Sequence, residues 1–260
     1  MNMKYSIVHI SLLLILCFQV QAQEKEKQRV HPFESKKFTH SIVFGLNVGA
    51  VTPTSLPANI RKINHYNPEF CPSFGYELLH HFTKEWSIGV SAKIDYKGMI
   101  ITDSVAYYHT SIQQESDGQT SSFEGDFTGT NYTKVRNVYF SLPVYAVWTP
   151  SERWFLRLGA YVAYRWDGKF NGSVSDGYIR KGNSLGEKVL IDHATFDFSD
   201  QQERWDLGID GGAGIFLGKR WSIQANLQWG LRPVFPSDFT GMNFKMYNIF
   251  ANVGAALRIL

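Results

Sequence analysis

Eight histidines and two cysteines are the side chains with which this 260-residue chain would hold a metal, and their spacing argues against one. His80 and His81 are adjacent, so on a strand they point to opposite faces and cannot share an ion. His65, His109 and His193 have no cysteine or histidine at ligand spacing. Acyl transfer or hydrolysis would need a serine beside a histidine base, with His40, His80 and His109 as the bases on offer. No spacing singles out one nucleophile among the many serines, so no catalytic residue, cofactor or metal is expected. What does recur is charge at even separations within short runs: Glu77; Lys93, Asp95 and Lys97; Arg157 and Arg165; Asp206 and Asp210; and Arg258. Five cations stand against four anions, a balance that suits mutual pairing inside a narrow enclosure.

These charges lie on the polar phase of strand-like runs. In Trp86–Lys97 one face is Trp86, Ile88, Val90, Ala92, Ile94 and Tyr96, and the other holds Lys93, Asp95 and Lys97. Trp154–Trp166 and Trp221–Leu231 repeat the pattern, which gives a sheet one apolar and one polar face. Five further runs, about His40–Val51, Ser73–Phe82, Arg136–Trp148, Arg204–Leu217 and Tyr247–Leu260, bring the total to eight. Their connections alternate in length. Thr83–Glu85, Thr149–Arg153 and Gly218–Arg220 are short turns; Thr52–Pro72, Gly98–Val135, Asp167–Glu203 and Arg232–Met246 are long loops rich in Gly, Ser, Asn and Asp. Pro143 sits inside a run, where its missing N–H marks a bulge.

Two eight-stranded architectures fit such a pattern: a soluble ligand-binding barrel with its apolar face inside, and a membrane barrel with that face turned to lipid. Tryptophan discriminates. Trp86, Trp148, Trp154, Trp166, Trp205, Trp221 and Trp229 all fall on the apolar phase at or near a strand end. Ten to twelve residues at ~3.3 Å each, tilted by roughly 40°, span about 25–30 Å, the height of a lipid-facing band between two aromatic girdles. An all-β, eight-stranded, antiparallel up-and-down transmembrane barrel follows, with the short turns periplasmic and the long loops extracellular. The seven tryptophans are its membrane-interface aromatics, and Glu77, Lys93, Asp95, Arg157, Arg165, Asp206, Asp210 and Arg258 its interior charges. Trp86, Trp154 and Trp221, spaced 68 and 67 residues apart, then mark the start of successive ascending strands.

The N-terminus agrees with export. A lysine precedes the apolar stretch Ile7–Val20, and Val20-Gln21-Ala22 forms a small-residue cleavage site, so residues 1–22 read as a signal peptide. Residues 23–37 read as a flexible periplasmic lead-in and 38–260 as the barrel domain. Leu16 stands before Cys17 where a lipoprotein signal needs a small residue, so Cys17 is not read as a lipid anchor. Cys71 is then the lone thiol of the exported chain and, at the loop end of the second strand, reads as a small residue without a special role. A net charge of +3 without a Lys/Arg cluster gives no reason to expect a nucleic-acid partner. The final NVGAALRIL has the form of a barrel-assembly signal, ending in Leu260 rather than an aromatic.

The segment VYFSLPVYAVWTPSERWFLRLGAYVAYRWDGK, with WDLGIDGGAGIFL and LQWGLRPV further on, resembles the PorT-like outer-membrane β-barrel family of Bacteroidetes-type bacteria over roughly Phe38–Leu260. The resemblance implies an outer-membrane location and, through the founding member, a link to type IX protein secretion. Eight strands enclose side chains rather than a channel, so a pore is excluded. The expected partners are outer-membrane lipid and lipopolysaccharide, the barrel-assembly machinery, and a secretion-system or cell-surface protein bound by the long loops. Tyr107, Tyr108, Phe123, Phe127, Phe196 and Phe198 in those loops suggest either ordered loop structure or a docking surface. The competing expectations are a lipid A acylating or deacylating enzyme and a small-ligand-binding barrel.

Overall fold

A computed structural model describes residues 37–116 and 119–259. The signal peptide, all of the lead-in before Lys37, and Leu260 lie outside the described residues. Ten strands form, in chain order β1 (Phe38–Thr52), β2 (Ile60–Pro68), β3 (Pro72–His81), β4 (Trp86–Ser116), β5 (Gln119–Trp148), β6 (Trp154–Lys181), β7 (Lys188–Asp197), β8 (Trp205–Leu217), β9 (Trp221–Gly230) and β10 (Tyr247–Arg258). Eight of them close a ring in the order β4-β3-β1-β10-β9-β8-β6-β5, and the β4–β5 ladder joins its ends. Every pairing is antiparallel, so the barrel has no open edge in this ring. The expected eight strands are therefore the eight ring members. Gly218, with φ of 70°, makes the tight β8–β9 turn in a conformation a Cβ would strain.

The long connections differ from expectation. The segments 98–135 and 167–203 are not irregular loops. β4, β5 and β6 run on through them in ladders interrupted only by bulges, as far as Ser116↔Gln119 and Gly125↔Lys181. β2 pairs with β4 where β3 has stopped, and β7 pairs with β6 and touches β4 at Gln113↔Thr195. The result is a small β-extension standing on one side of the ring. Its outer strands were hidden in the sequence because the alternation changes sign beyond Lys97, and bulges at Val105/Tyr108 between β4 and β5 and at Val138/Tyr139 and Thr128/Thr130 between β5 and β6 then shift its phase. On β4 the inward residues pass from Ser91, Lys93, Asp95 and Lys97 to Met99 and Val105, while the outward ones pass from Ile88, Val90 and Ile94 to Thr102 and Ser104. Apolar-out becomes apolar-in where the surroundings change from lipid to water.

The core divides accordingly. Between a small apolar cluster of Leu79, Val147, Phe155 and Phe216 at the short-turn end and about Lys97 the interior is polar. Beyond it lies one apolar cluster of Met99, Val135, Phe170, Phe198 and Phe250 with the extension's Ile112, Phe127, Ile179 and Ile191. Val234, Phe235, Met242 and Met246 from the β9–β10 connection pack into the same cluster, with Phe235 and Phe239 stacked at 4.2 Å. Pro143 makes no bulge. The β4–β5 ladder skips from Val90↔Val144 to Lys93↔Ser141 in one unchanged register, so the missing N–H interrupts pairing without shifting it.

Candidate functional site

The polar interior is organised by charge. Arg157 on β6 reaches across the barrel: Nη2 donates to Asp210 Oδ1 at 3.1 Å, and Nη1 lies 3.2 Å from Gln224 Oε1 and 3.5 Å from Glu77 Oε2. Its guanidinium sits 3.9 Å from the Tyr145 ring centroid, and the Tyr145 hydroxyl donates to Glu77. Gln228 Nε2 fills the other oxygen of Asp210 at 3.0 Å. Lys93 pairs with Asp95 at 3.5 Å, and Ser73 Oγ donates to the same carboxylate at 2.6 Å. Lys97 is completely buried. Its Nζ stands 3.9 Å from Asp206 and within 5.0–5.7 Å of the Tyr161, Tyr139 and Phe250 ring centroids. Tyr161 and Asn248 each donate to Asp206 at 3.0 Å. Lys97 thus seals the top of the polar column beneath the apolar cluster, its charge met by one carboxylate and three ring faces.

Of the interior charges named from sequence, Glu77, Lys93, Asp95, Arg157, Asp206 and Asp210 are buried in the ring. Arg165 and Arg258 sit at its two ends. Arg165 donates to the carbonyls of Gln202 and Glu203 at 2.8 and 3.2 Å, holding the short helical turn Ser199–Gln201 against β6. Arg258 is half-buried beside Glu77 at the short-turn mouth and donates to the Lys219 carbonyl at 3.1 Å. All seven tryptophans are exposed on the outer wall. Trp86, Trp148 and Trp154 form a row at the short-turn end with ring centroids 6.2 and 6.1 Å apart, and Phe44 contacts Trp221 at 6.1 Å. Trp166, Trp205 and Trp229 lie towards the other end.

The cavities inside the ring are small, about 30 Å³ at the short-turn mouth and about 10 Å³ beside Lys93 and Glu77, room for one or two water molecules. The purified barrel in planar bilayers is therefore expected to pass no stable large conductance, and a sustained open-channel current would overturn that expectation.

One contact escaped the sequence. His81 Nδ1 lies 2.6 Å from Ser87 Oγ and its Nε2 lies 2.8 Å from Thr39 Oγ1, a serine–histidine pair buried inside the ring. His81 was not among the bases considered from spacing, because it meets its partners Thr39 on β1 and Ser87 on β4 only across strand ladders. Among the described residues no group of three or more His, Cys, Asp or Glu side chains is placed to hold a metal. No helix among them is long and apolar enough to cross a membrane.

The loop aromatics divide too. Tyr108, Phe127, Phe196 and Phe198 are buried in the extension's core, Phe123 packs at its edge, and Tyr107 is exposed. Within that core Asp103 is an outlier. It faces Asn131 across β4–β5, whose Nδ2 donates to it at 2.9 Å, and Ile63 across β2–β4. Burial pushes its carboxyl up to about 6, against the opposing pull of Asn131. A raised folded-state pKa means stability that is full below about pH 4 and lost as pH rises through 6. Amide exchange in the extension, corrected for intrinsic rates, should report about 2 kcal/mol more local stability at pH 4 than at pH 7.5, allowing for partial solvent contact. Asp103→Asn should flatten that dependence.

Residues 21–236 match the model of a family described as outer membrane protein beta-barrel domain. No curated protein matches the sequence. Among solved structures, the attachment invasion locus protein Ail of Yersinia pestis, in complex with the heparin analogue sucrose octasulfate, is 14% identical, with 85% of this chain and 97% of that one covered and a TM-score of 0.37. The backbone structure of Ail in a phospholipid bilayer nanodisc is 14% identical over 85% and 99% of the two chains, with a TM-score of 0.31. The transport unit of the Escherichia coli autotransporter AIDA-I is 8% identical over 91% and 93%, with a TM-score of 0.18.

Proposed function

The chain belongs to the outer membrane protein β-barrel domain family, and from that premise we propose that it is a non-enzymatic accessory protein whose external β-extension binds a partner, with type IX protein secretion as the process it assists. The observation that supports this reading is the division of labour between the two cores. Among the described residues the ring's interior is filled by ion pairs and packed side chains around two cavities of water size, whereas three of its strands continue outward to build a second folded core. In this reading the short turns face the periplasm, where the barrel-assembly machinery delivers the chain, and the seven tryptophans anchor the wall at the two bilayer interfaces. Outer-membrane lipid and lipopolysaccharide surround it.

The buried Ser87–His81 contact is the one observation that favours a lipid-modifying enzyme. Against it, neither side chain lines either of the two cavities described, and the other ring nitrogen is engaged by the Thr39 hydroxyl. A gene-deletion strain separates the two. An altered set of secreted proteins with an unchanged lipid A mass spectrum is expected; altered acylation with normal secretion would replace this reading with the enzymatic one.

A further inference from the structure

The β6–β7 hairpin turns in the outer part of the extension, beside β5 at Gly125, and its outward face is unusual in what it sets side by side. In register across the two strands, Arg180 stands opposite Lys188 and Tyr178 opposite Leu190. Directly opposed side chains on one face are near neighbours, and like charges there repel. Neither cation has an ion-pair partner among the described residues. Arg180 Nη1 donates to the Gly186 carbonyl at 3.1 Å, and Lys188 Nζ lies 4.2 Å from the Tyr178 ring centroid. Glu187, the one acid between Tyr178 and Leu190, is taken by Lys181 at 2.9 Å, and Asp126, in register with Arg180 on β5, lies 3.0 Å from His109 Nδ1. Next to this cation pair are Leu190, 72% exposed, and, in the turn, Leu185, which at 92% is more exposed than any other large hydrophobic side chain among the described residues.

We propose that this hairpin docks onto an anionic lipid surface, with phosphate-bearing headgroups between Arg180 and Lys188 and the two leucines entering the acyl boundary. The charge complement is what the opposed cations lack. A sulfated or phosphorylated polymer would supply it but leave both leucines in water; a lipid surface satisfies both halves of the face. The inference rests on the membrane reading of the ring, which sets Trp166 at the outer interface. From Trp166 to Lys181 is a further 15 residues of β6, about 50 Å of strand, so the surface contacted belongs to a second membrane or vesicle.

The intact protein, held in phosphatidylcholine nanodiscs, is mixed with vesicles of pure phosphatidylcholine or of phosphatidylcholine with one-third phosphatidylglycerol, and co-flotation is measured. Wild type should float preferentially with the anionic vesicles. Arg180→Gln with Lys188→Gln should weaken that partitioning by about 30-fold, on the basis of ~1 kcal/mol per basic residue at an anionic surface. Leu185→Ser with Leu190→Ser should weaken it too. Equal flotation of wild type with both vesicles overturns the proposal, as does wild-type binding by either double variant. Heat-modifiable gel migration, read on every sample, reports the barrel separately, so an unfolded or non-barrel protein is not mistaken for a failed hairpin.

Discussion

Replacing Arg157 by alanine should destabilise the barrel by about 3–5 kcal/mol, because it leaves Glu77 and Asp210 buried without their cation. Both carboxylates are almost inaccessible to solvent, and the Tyr145 ring loses the guanidinium stacked on it. Urea titration of the barrel in lipid vesicles, followed by loss of heat-modifiable migration, measures the change. Replacing all three charges together by apolar residues of similar volume should cost far less than Arg157→Ala alone, since desolvating an ion pair offsets most of its attraction. Equal losses in the single and triple variants would mean that packing volume, not charge, holds this layer.

Ala225→Arg should cost about 2–4 kcal/mol, the penalty for a charged side chain facing lipid at the bilayer midplane. Ala225 is exposed on β9 four residues from both Trp221 and Trp229, in register with Ala213 and Val253. The same substitution at Leu231, past the girdle, should cost about 0–1 kcal/mol. A flat depth profile would sink the lipid-facing assignment of this phase. The comparison is internal to one outer wall, so it is insensitive to the absolute stability of the barrel.

Much of the ring was legible in the sequence for one physical reason. Lipid outside and charge inside impose opposite demands on alternate residues, so β4, β6 and β9 announce themselves as Trp86–Tyr96, Trp154–Trp166 and Trp221–Leu231. The extension was not legible because it obeys the opposite rule and its bulges move the phase as well, the inward residues of β4 passing from Met99 and Val105 to Tyr108 and Ile112. The polar outer face and glycines of the 98–135 segment read as loop once lipid no longer selects for leucine and valine outside. β2 and β7 were missed with it: β2 is exposed on both faces and has no clear alternation at all. Six of the charges that phase assigned to the interior are buried in the structure, but their pairing is not written in the phase. Arg157 meets Asp210 and Lys97 meets Asp206 through ring geometry, and Arg165 is diverted to two carbonyls by a helical turn that no local pattern announces. His81 illustrates the same limit, since its partners Thr39 and Ser87 become neighbours only once the strand register is set.

The unbroken run of β4, β5 and β6 from wall to tip has a mechanical meaning. β4 alone holds 31 residues, about 100 Å of strand, laddered to β5 almost throughout. Two laddered strands rooted in one wall resist bending far better than a single unpaired chain of the same length, so the tip keeps its standing relative to the bilayer where an irregular loop would swing freely.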